Sequence, residues 1–242
     1  MTVVCMLLLP LQWPFLHLFF VVYRLLVATY AVAVTIMSVL IHPSDLLPWP
    51  VWLTNWSFFL LTCHLLCAAV VVLLNTCCER RHSSVPSASR STAIPCYMKL
   101  SWFLFSVAAP AAIIVTTIFF AAVFPQLHRS YLSVDDIALH VTNTVLVILE
   151  FTIAAFPVRL LHVVYTWCYG LAYVIFSAIY WAFDHSHVMY PGVLDWNAPK
   201  TTAVVIVIVA LVGIPLLQFI LFGIYQLRLY IFARCACRYS LD

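Results

Sequence analysis

Six long apolar stretches constrain this chain more than any other feature of its sequence. Four of them contain no Asp, Glu, Lys or Arg: residues 46–78, 100–128, 160–183 and 201–227. Each is longer than the ~20 residues that a bilayer requires. The other two stretches have a charged residue within them, Arg24 in one and Glu150 in the other. Because the apolar residues are continuous and do not alternate with polar ones, the pattern predicts helices and not strands.

The predicted fold class is therefore all-α, a polytopic membrane protein with a bundle of six transmembrane helices. The predicted helices cover residues 15–41, 55–77, 99–124, 136–156, 159–182 and 201–227. The composition agrees, since 8% of the 242 residues are charged, against ~25% in soluble domains. We expect residues 1–242 to form a single membrane domain, with a Ser-rich, basic cytoplasmic loop at 78–98 between helices two and three.

The lysine and arginine residues predict an orientation. With the N-terminus inside, two of them fall in outer loops and eight in inner loops: Arg129 and Lys200 outside, and Arg80, Arg81, Arg90, Lys99, Arg159, Arg228, Arg234 and Arg238 inside. This asymmetry follows the positive-inside rule and predicts that both termini are cytoplasmic. The net charge of +3 then reflects topology and not nucleic-acid binding. Both the plasma membrane and the endoplasmic reticulum suit such a chain.

The nine cysteines include several at the predicted cytoplasmic face, where thiols stay reduced. Cysteines beside a membrane span and near basic residues are typical S-palmitoylation sites. The candidates are Cys77, Cys78, Cys235 and Cys237. Unmodified free thiols are the alternative. No cysteine pattern has the ligand spacing of a metal site, and we predict neither a metal nor an organic cofactor.

Ionisable side chains inside membrane spans are costly and need a partner or a function. Thr54 and His140 lie near the starts of helices two and four, which cross the membrane in the same direction. His64 and Glu150 each follow ten residues later, about 15 Å deeper at ~1.5 Å per residue. Arg24 should lie at a similar depth. We therefore predict one layer with Thr54 and His140, and a second, structural layer with Arg24, His64 and Glu150.

Threonine and histidine within hydrogen-bond reach can form a catalytic dyad. A neutral imidazole removes the hydroxyl proton and then protonates the leaving group. Thr54 as nucleophile and His140 as base would cleave an ester. The polar residues that could support the pair or orient His140 are Asn55, Asp135, Asn143 and Asp195. The alternative is that Thr54 caps its helix and His140 is a packing residue.

Several motifs carry a family resemblance. The stretches QWPFLHLFFVVYR, WLTNW, ALHVTNTVLVILE, FPVRLLHVVY and YPGVLDWNAP together resemble the rolling stone-like membrane proteins, from Gln12 to Arg234. A more distant resemblance is to the androgen-induced and androgen-dependent TFPI-regulating membrane proteins. That second family hydrolyses fatty acid esters of hydroxy fatty acids with a threonine in YLT and a histidine in MHT. The matching positions here are Thr54 and His140, and Glu150 matches a glutamate ten residues beyond that histidine.

The resemblances imply two different functions. The second family implies a threonine/histidine-dependent hydrolase of lipid esters, whose partners are membrane lipid and a lipid-ester substrate. Trp52, Asn55 and Val141 depart from its pattern, so the resemblance does not imply the same substrate. The rolling stone resemblance implies a non-enzymatic membrane factor in cell-cell fusion of the myoblast type, or in adhesion. A transporter is less favoured, because apolar residues separate the two polar layers.

Overall fold

The computed structural model describes residues 14–40, 48–82, 95–127, 130–154 and 156–239. Within these ranges the chain forms six long helices joined by turns, and each helix is long and apolar enough to cross a membrane. The helices are α1 Pro14–Leu40, α2 Leu53–His82, α3 Cys96–Leu127, α4 Val134–Ile153, α5 Leu160–Phe183 and α6, which begins at Pro199 and ends at Tyr239. The predicted all-α fold with six membrane-spanning helices is confirmed.

The helices on either side of the predicted 78–98 loop are longer than the sequence indicated. Helix α2 ends at His82, and α3 begins at Cys96. The residues that follow Cys78 are Glu and Arg, which are good helix formers and need not end a helix that leaves an apolar region. The helices therefore include both ends of the predicted loop, and residues 83–94 lie outside the described residues.

Three of the helices contain a π-helical turn. These turns are Phe119–Val123 in α3, Ile137–Val141 in α4 and Val209–Gly213 in α6. A π turn interrupts the regular α-helical hydrogen bonding, and such turns are frequent at functional sites. His140 lies in the π turn of α4.

The chain divides into two compact units, residues 1–156 and 157–242; the single membrane domain expected from the sequence stays a prediction. In the first unit α1 packs against α2, α2 against α3, and α3 against α4. The buried centre of this unit contains seven alanines: Ala28, Ala31, Ala69, Ala108, Ala109, Ala112 and Ala154. Small residues let helix backbones approach closely in a membrane, where packing drives association.

The second unit contains α5 and α6, which are joined by hydrogen bonds to backbone carbonyls. Gln218 Nε2 donates to the carbonyl of Arg159 at 2.7 Å. Trp167 Nε1 donates to the carbonyl of Ala210, also at 2.7 Å. Ala210 lies in the π turn of α6, so a tryptophan from α5 contacts the helix where its own hydrogen bonding is irregular.

Candidate functional site

Side chains of α2 fold back to hold the turn that precedes the helix. Asn55 is buried, and its Nδ2 donates to the carbonyl of Trp49 at 2.7 Å. Trp56 Nε1 donates to the carbonyl of Pro50 at 2.6 Å. These bonds fix the position at which the helix begins. Thr54 is the second residue of α2, so it lies inside the helix and past the N-cap position.

Helices α2 and α4 lie side by side in parallel with a single register. Asn143 Nδ2 donates to Ser57 Oγ at 3.3 Å. Seven residues further along both helices, His64 Nε2 lies 3.3 Å from Glu150 Oε2. Each of these contacts joins residues that are 86 positions apart. A constant separation over two turns means that the two helices run in the same direction and keep the same residue register.

This register brings the two predicted catalytic residues to the same level. Thr54 precedes Ser57 by three residues, and His140 precedes Asn143 by three, so they are also 86 positions apart (140 − 54 = 86). Both residues are buried, with exposed fractions of 9% and 8%. Helix α2 also packs against the π turn that carries the histidine. Thr54 and His140 therefore lie at one depth on neighbouring helices.

His140 is held by an aromatic neighbour and by its backbone. Its ring stacks on Phe119, with centroids 3.6 Å apart and planes 10° apart. The backbone carbonyl of His140 accepts a hydrogen bond from Thr116 Oγ1 at 2.9 Å, and Thr144 Oγ1 donates to the same threonine at 2.9 Å. Within the described part of the chain, Nδ1 of His140 is buried without a hydrogen-bond partner. This nitrogen is therefore not hydrogen-bonded to Thr54 in the structure.

Asp136 is a carboxylate that the sequence analysis missed. It is buried and lies four residues before His140, about one helical turn away. Its Oδ2 accepts the backbone N–H of Ser133 at 2.8 Å, and its own N–H donates to Ser133 Oγ at 3.2 Å. This capping box starts α4, whereas the predicted Asp135 is exposed. The Ser-x-x-Asp pattern followed by a four-residue spacing was the signal that could have identified it.

Asp195, another predicted supporting residue, closes the turn before α6. Its Oδ1 accepts the backbone N–H of Asn197 at 2.9 Å. Its backbone N–H donates to Thr202 Oγ1 at 2.9 Å, and its carbonyl accepts from the same hydroxyl at 2.6 Å. The carboxylate therefore has a structural role in the LDWNAP stretch.

The predicted buried polar layer forms around Glu150. Nη1 of Arg24 contacts both carboxylate oxygens at 2.5 Å, and the hydroxyl of Tyr23 donates to Oε1 at 3.1 Å. His64 approaches Oε2 with Nε2, while its Nδ1 lies 3.0 Å from the carbonyl oxygen of Ser101. Arg24, His64 and Glu150 are at most 3% exposed. The structure brings these three residues together, as the sequence predicted.

Comparison with known proteins identifies the family. Residues 7–240 match the family described as "Protein rolling stone". The chain belongs to the rolling stone family. Protein rolling stone of Drosophila melanogaster is 28% identical over 223 residues, which are 86% of this chain and 78% of that relative. No solved structure matches the chain.

This rolling stone family member is a multi-pass integral membrane protein, and the family that its motifs predicted is confirmed. The predicted palmitoylation sites stay a prediction. The side chain of Cys77 is exposed in the last third of α2. The side chains of Cys78, Cys235 and Cys237 lie outside the described part of the structure.

The turn after α5 in this family member contains the cluster Asp184, His185 and His187. Asp184 Oδ1 accepts from the hydroxyl of Ser186 at 2.5 Å, and Oδ2 lies 2.7 Å from Nδ1 of His187. These hydrogen bonds, with that of the Ser186 hydroxyl the largest cause, lower the pKa of Asp184 to about 2. The carboxylate of Asp184 therefore forms hydrogen bonds within its own turn.

Proposed function

We propose that this rolling stone family member hydrolyses lipid esters, with Thr54 as nucleophile and His140 as general base. The observation that supports the proposal is the register of α2 and α4. The contacts of Ser57 with Asn143 and of His64 with Glu150 share a separation of 86 positions, which Thr54 and His140 share as well. The resemblance to the androgen-induced membrane hydrolases points to the same two residues.

The reaction follows from the chemistry of the two side chains. Thr54 Oγ1 attacks the ester carbonyl carbon while His140 accepts the hydroxyl proton. When the tetrahedral intermediate collapses, the bond to the alcohol oxygen breaks and His140 protonates that oxygen. Water then attacks the acyl-threonine carbonyl while His140 accepts a proton from that water. The bond between the acyl carbon and Oγ1 breaks, His140 passes the proton to Oγ1, and the fatty acid leaves.

Neighbouring groups suit the two roles. The unpartnered Nδ1 of His140 has no competing hydrogen bond among the described residues, and Phe119 restrains the plane of the ring. Ser57 lies one turn beyond Thr54, and its hydroxyl, which accepts from Asn143, would donate to the oxyanion. These side chains supply a base and a donor beside the nucleophile.

The proposal includes an orientation and a substrate route. The excess of Lys and Arg in the predicted inner loops supports cytoplasmic termini. Thr54 and His140 would then lie near the exoplasmic boundary of the plasma membrane or the endoplasmic reticulum. A lipid ester would reach them laterally from the outer leaflet, and the reaction would need no metal or organic cofactor.

The test uses the full chain in lipid nanodiscs with a fluorogenic long-chain ester and a fluorophosphonate probe. Thr54→Ala and His140→Ala should each lower turnover by ~100-fold or more and abolish labelling. Thr54→Ser keeps the hydroxyl and should retain part of the activity. The matched controls are Thr62→Ala, which removes a buried hydroxyl bonded to the carbonyl of Phe58 in the same helix, and His187→Ala, which removes an exposed histidine.

Turnover that is unchanged in folded Thr54→Ala would remove the hydrolase from consideration. A cell-fusion assay with the same variants tests the alternative function. A non-enzymatic fusion or adhesion factor should keep its activity when the Thr54 hydroxyl is lost, provided that the protein still folds.

A further inference from the structure

The π turn of α4 determines which way His140 faces. In this turn the backbone N–H of Thr142 donates to the carbonyl of Ile137, five residues back. Such a bond encloses one residue more than the bond of a regular α-helix. If the turn became α-helical, the parts of α4 on its two sides would rotate against each other by about 100°, the rotation per residue of an α-helix. The direction of the imidazole therefore depends on this turn keeping its place.

Two residues of α3 hold the turn. Thr116 Oγ1 donates to the carbonyl oxygen of His140 at 2.9 Å. One turn further along α3, the ring of Phe119 stacks on the imidazole, with centroids 3.6 Å apart. Because residues three apart share one face of a helix, both contacts come from the same side of α3. Thr116 thus fixes the backbone of His140, and Phe119 fixes its side chain.

The hydroxyl of Thr116 has a defined direction. A carbonyl oxygen can only accept, so the proton of this hydroxyl points at His140. The hydroxyl oxygen in turn accepts from Thr144 Oγ1 at 2.9 Å. Thr144 lies four residues after His140, and a threonine at that spacing can bond the carbonyl of its own helix. Here Thr144 donates to α3, and the hydroxyl on the carbonyl of His140 comes from α3 as well.

We propose that Thr116 is a positioning residue for His140, and that its hydroxyl holds the π turn so that the imidazole is directed from α3 toward α2. The turn packs against both of these helices, and α2 carries Thr54. Thr116 acts through His140 and does not touch the substrate. Its role in the reaction rests on the proposed hydrolysis, whereas the orientation of His140 does not.

The test follows the time course of fluorophosphonate labelling of the full chain in lipid nanodiscs. Thr116→Val keeps the shape of the side chain and removes the hydroxyl. The rate constant of labelling should fall roughly tenfold, as expected when a hydrogen bond that positions the base is lost, while the final amount of labelled protein stays the same. Thr116→Ser keeps the hydroxyl and should restore the rate. The matched control is Thr117→Val, because the exposed Thr117 donates to the carbonyl of Ile113 in its own helix; its rate should equal that of the wild type.

A second measurement does not depend on activity. The ring current of Phe119 shifts the ring resonances of the histidine that it stacks on. These resonances are observed by NMR of histidine-labelled protein in nanodiscs and are assigned by their loss in His140→Gln. They should move in Thr116→Val and stay in place in Thr117→Val.

An unchanged labelling rate in folded Thr116→Val would overturn the proposal. A smaller labelled amount at the wild-type rate would overturn it as well, because a residue with only a structural role changes the folded fraction and not the chemistry. Resonances of His140 that do not move in Thr116→Val would also refute it.

If Thr116→Val does not fold, Thr144→Val decides the question. This change removes the donor to Thr116 and leaves that hydroxyl with one partner fewer, so the labelling rate should fall about twofold; an unchanged rate would refute the proposal. A wild-type protein that is not labelled would instead remove the proposed hydrolysis. The NMR measurement would then decide by itself whether Thr116 orients His140.

Discussion

The two polar layers of the first unit lie on the same pair of helices but use their hydrogen-bonding groups differently. Around Glu150, the carboxylate has Arg24, Tyr23 and His64 as partners. Around His140, Nδ1 of that histidine and Oδ1 of Asn143 are buried without partners among the described residues. The carboxylate of the Glu150 layer is thus fully paired, although Nε of Arg24 is not, whereas the His140 layer contains two unpaired polar atoms among the described residues. Paired charges of this kind can fix the positions of helices.

The Glu150 layer can support the Thr54–His140 level through the geometry of the two helices. The contact of His64 with Glu150 lies ten residues, about 15 Å at ~1.5 Å per residue, from the level of Thr54 and His140. Because helices are stiff over this distance, a contact that fixes the register at one level fixes it at the other. The Glu150 layer can thus position the candidate site without touching it.

The largest effect is expected from removing the carboxylate that organises the paired layer. Glu150→Ala leaves Arg24 and His64 without their acceptor, and breaking a buried ion pair in this way costs ~3–5 kcal/mol. The free energy of unfolding is measured in mixed micelles by titration with a denaturing detergent. Asp135→Ala removes an exposed carboxylate as the control and should change stability by less than ~0.5 kcal/mol. A Glu150→Ala protein as stable as the wild type would contradict the structural role of the layer.

A smaller effect is expected in the layer with unpaired groups. Asn143→Ala and Ser57→Ala each remove the 3.3 Å hydrogen bond between α2 and α4, and a double-mutant cycle should give a coupling of ~0.5–1.5 kcal/mol. Ser106→Ala is a suitable control, because the Ser106 hydroxyl donates to the carbonyl of Trp102 in its own helix. A coupling near zero would show that the Glu150 layer alone sets the register.

The smallest effect is expected for an ionised group outside the spans. The pKa of Asp184 is lowered to about 2 from its usual 3.8 by the hydrogen bonds from Ser186 and His187. A carboxyl whose pKa is lower in the folded state stabilises the fold above its unfolded pKa, and that stabilisation is lost as the pH falls toward 2. Asp184→Asn should therefore lower Tm slightly at neutral pH and make no difference in acid. A difference in Tm that does not change with pH would argue against this ionised turn.

The positions of the helices could be predicted from the sequence because hydropathy and length decide what can cross a bilayer. The end of α2 could not be predicted in this way, because Glu and Arg after Cys78 continue the helix beyond its apolar part. Asp135 was selected by location alone, whereas the capping box buries Asp136 and leaves Asp135 exposed. The stacking of Phe119 on His140 was also unforeseen, since it depends on how α3 and α4 are rotated about their axes.

The sequence by itself determined the six spans, the ten-residue interval from Thr54 to His64, and the equal interval from His140 to Glu150. These are properties of one helix at a time, fixed by composition and by the rise per residue. Only the tertiary structure decided that α2 and α4 are neighbours in parallel register and that Ser57 contacts Asn143. Helix rotation and pairing depend on packing, because lipid is as apolar as the side chains and hydropathy favours no particular face.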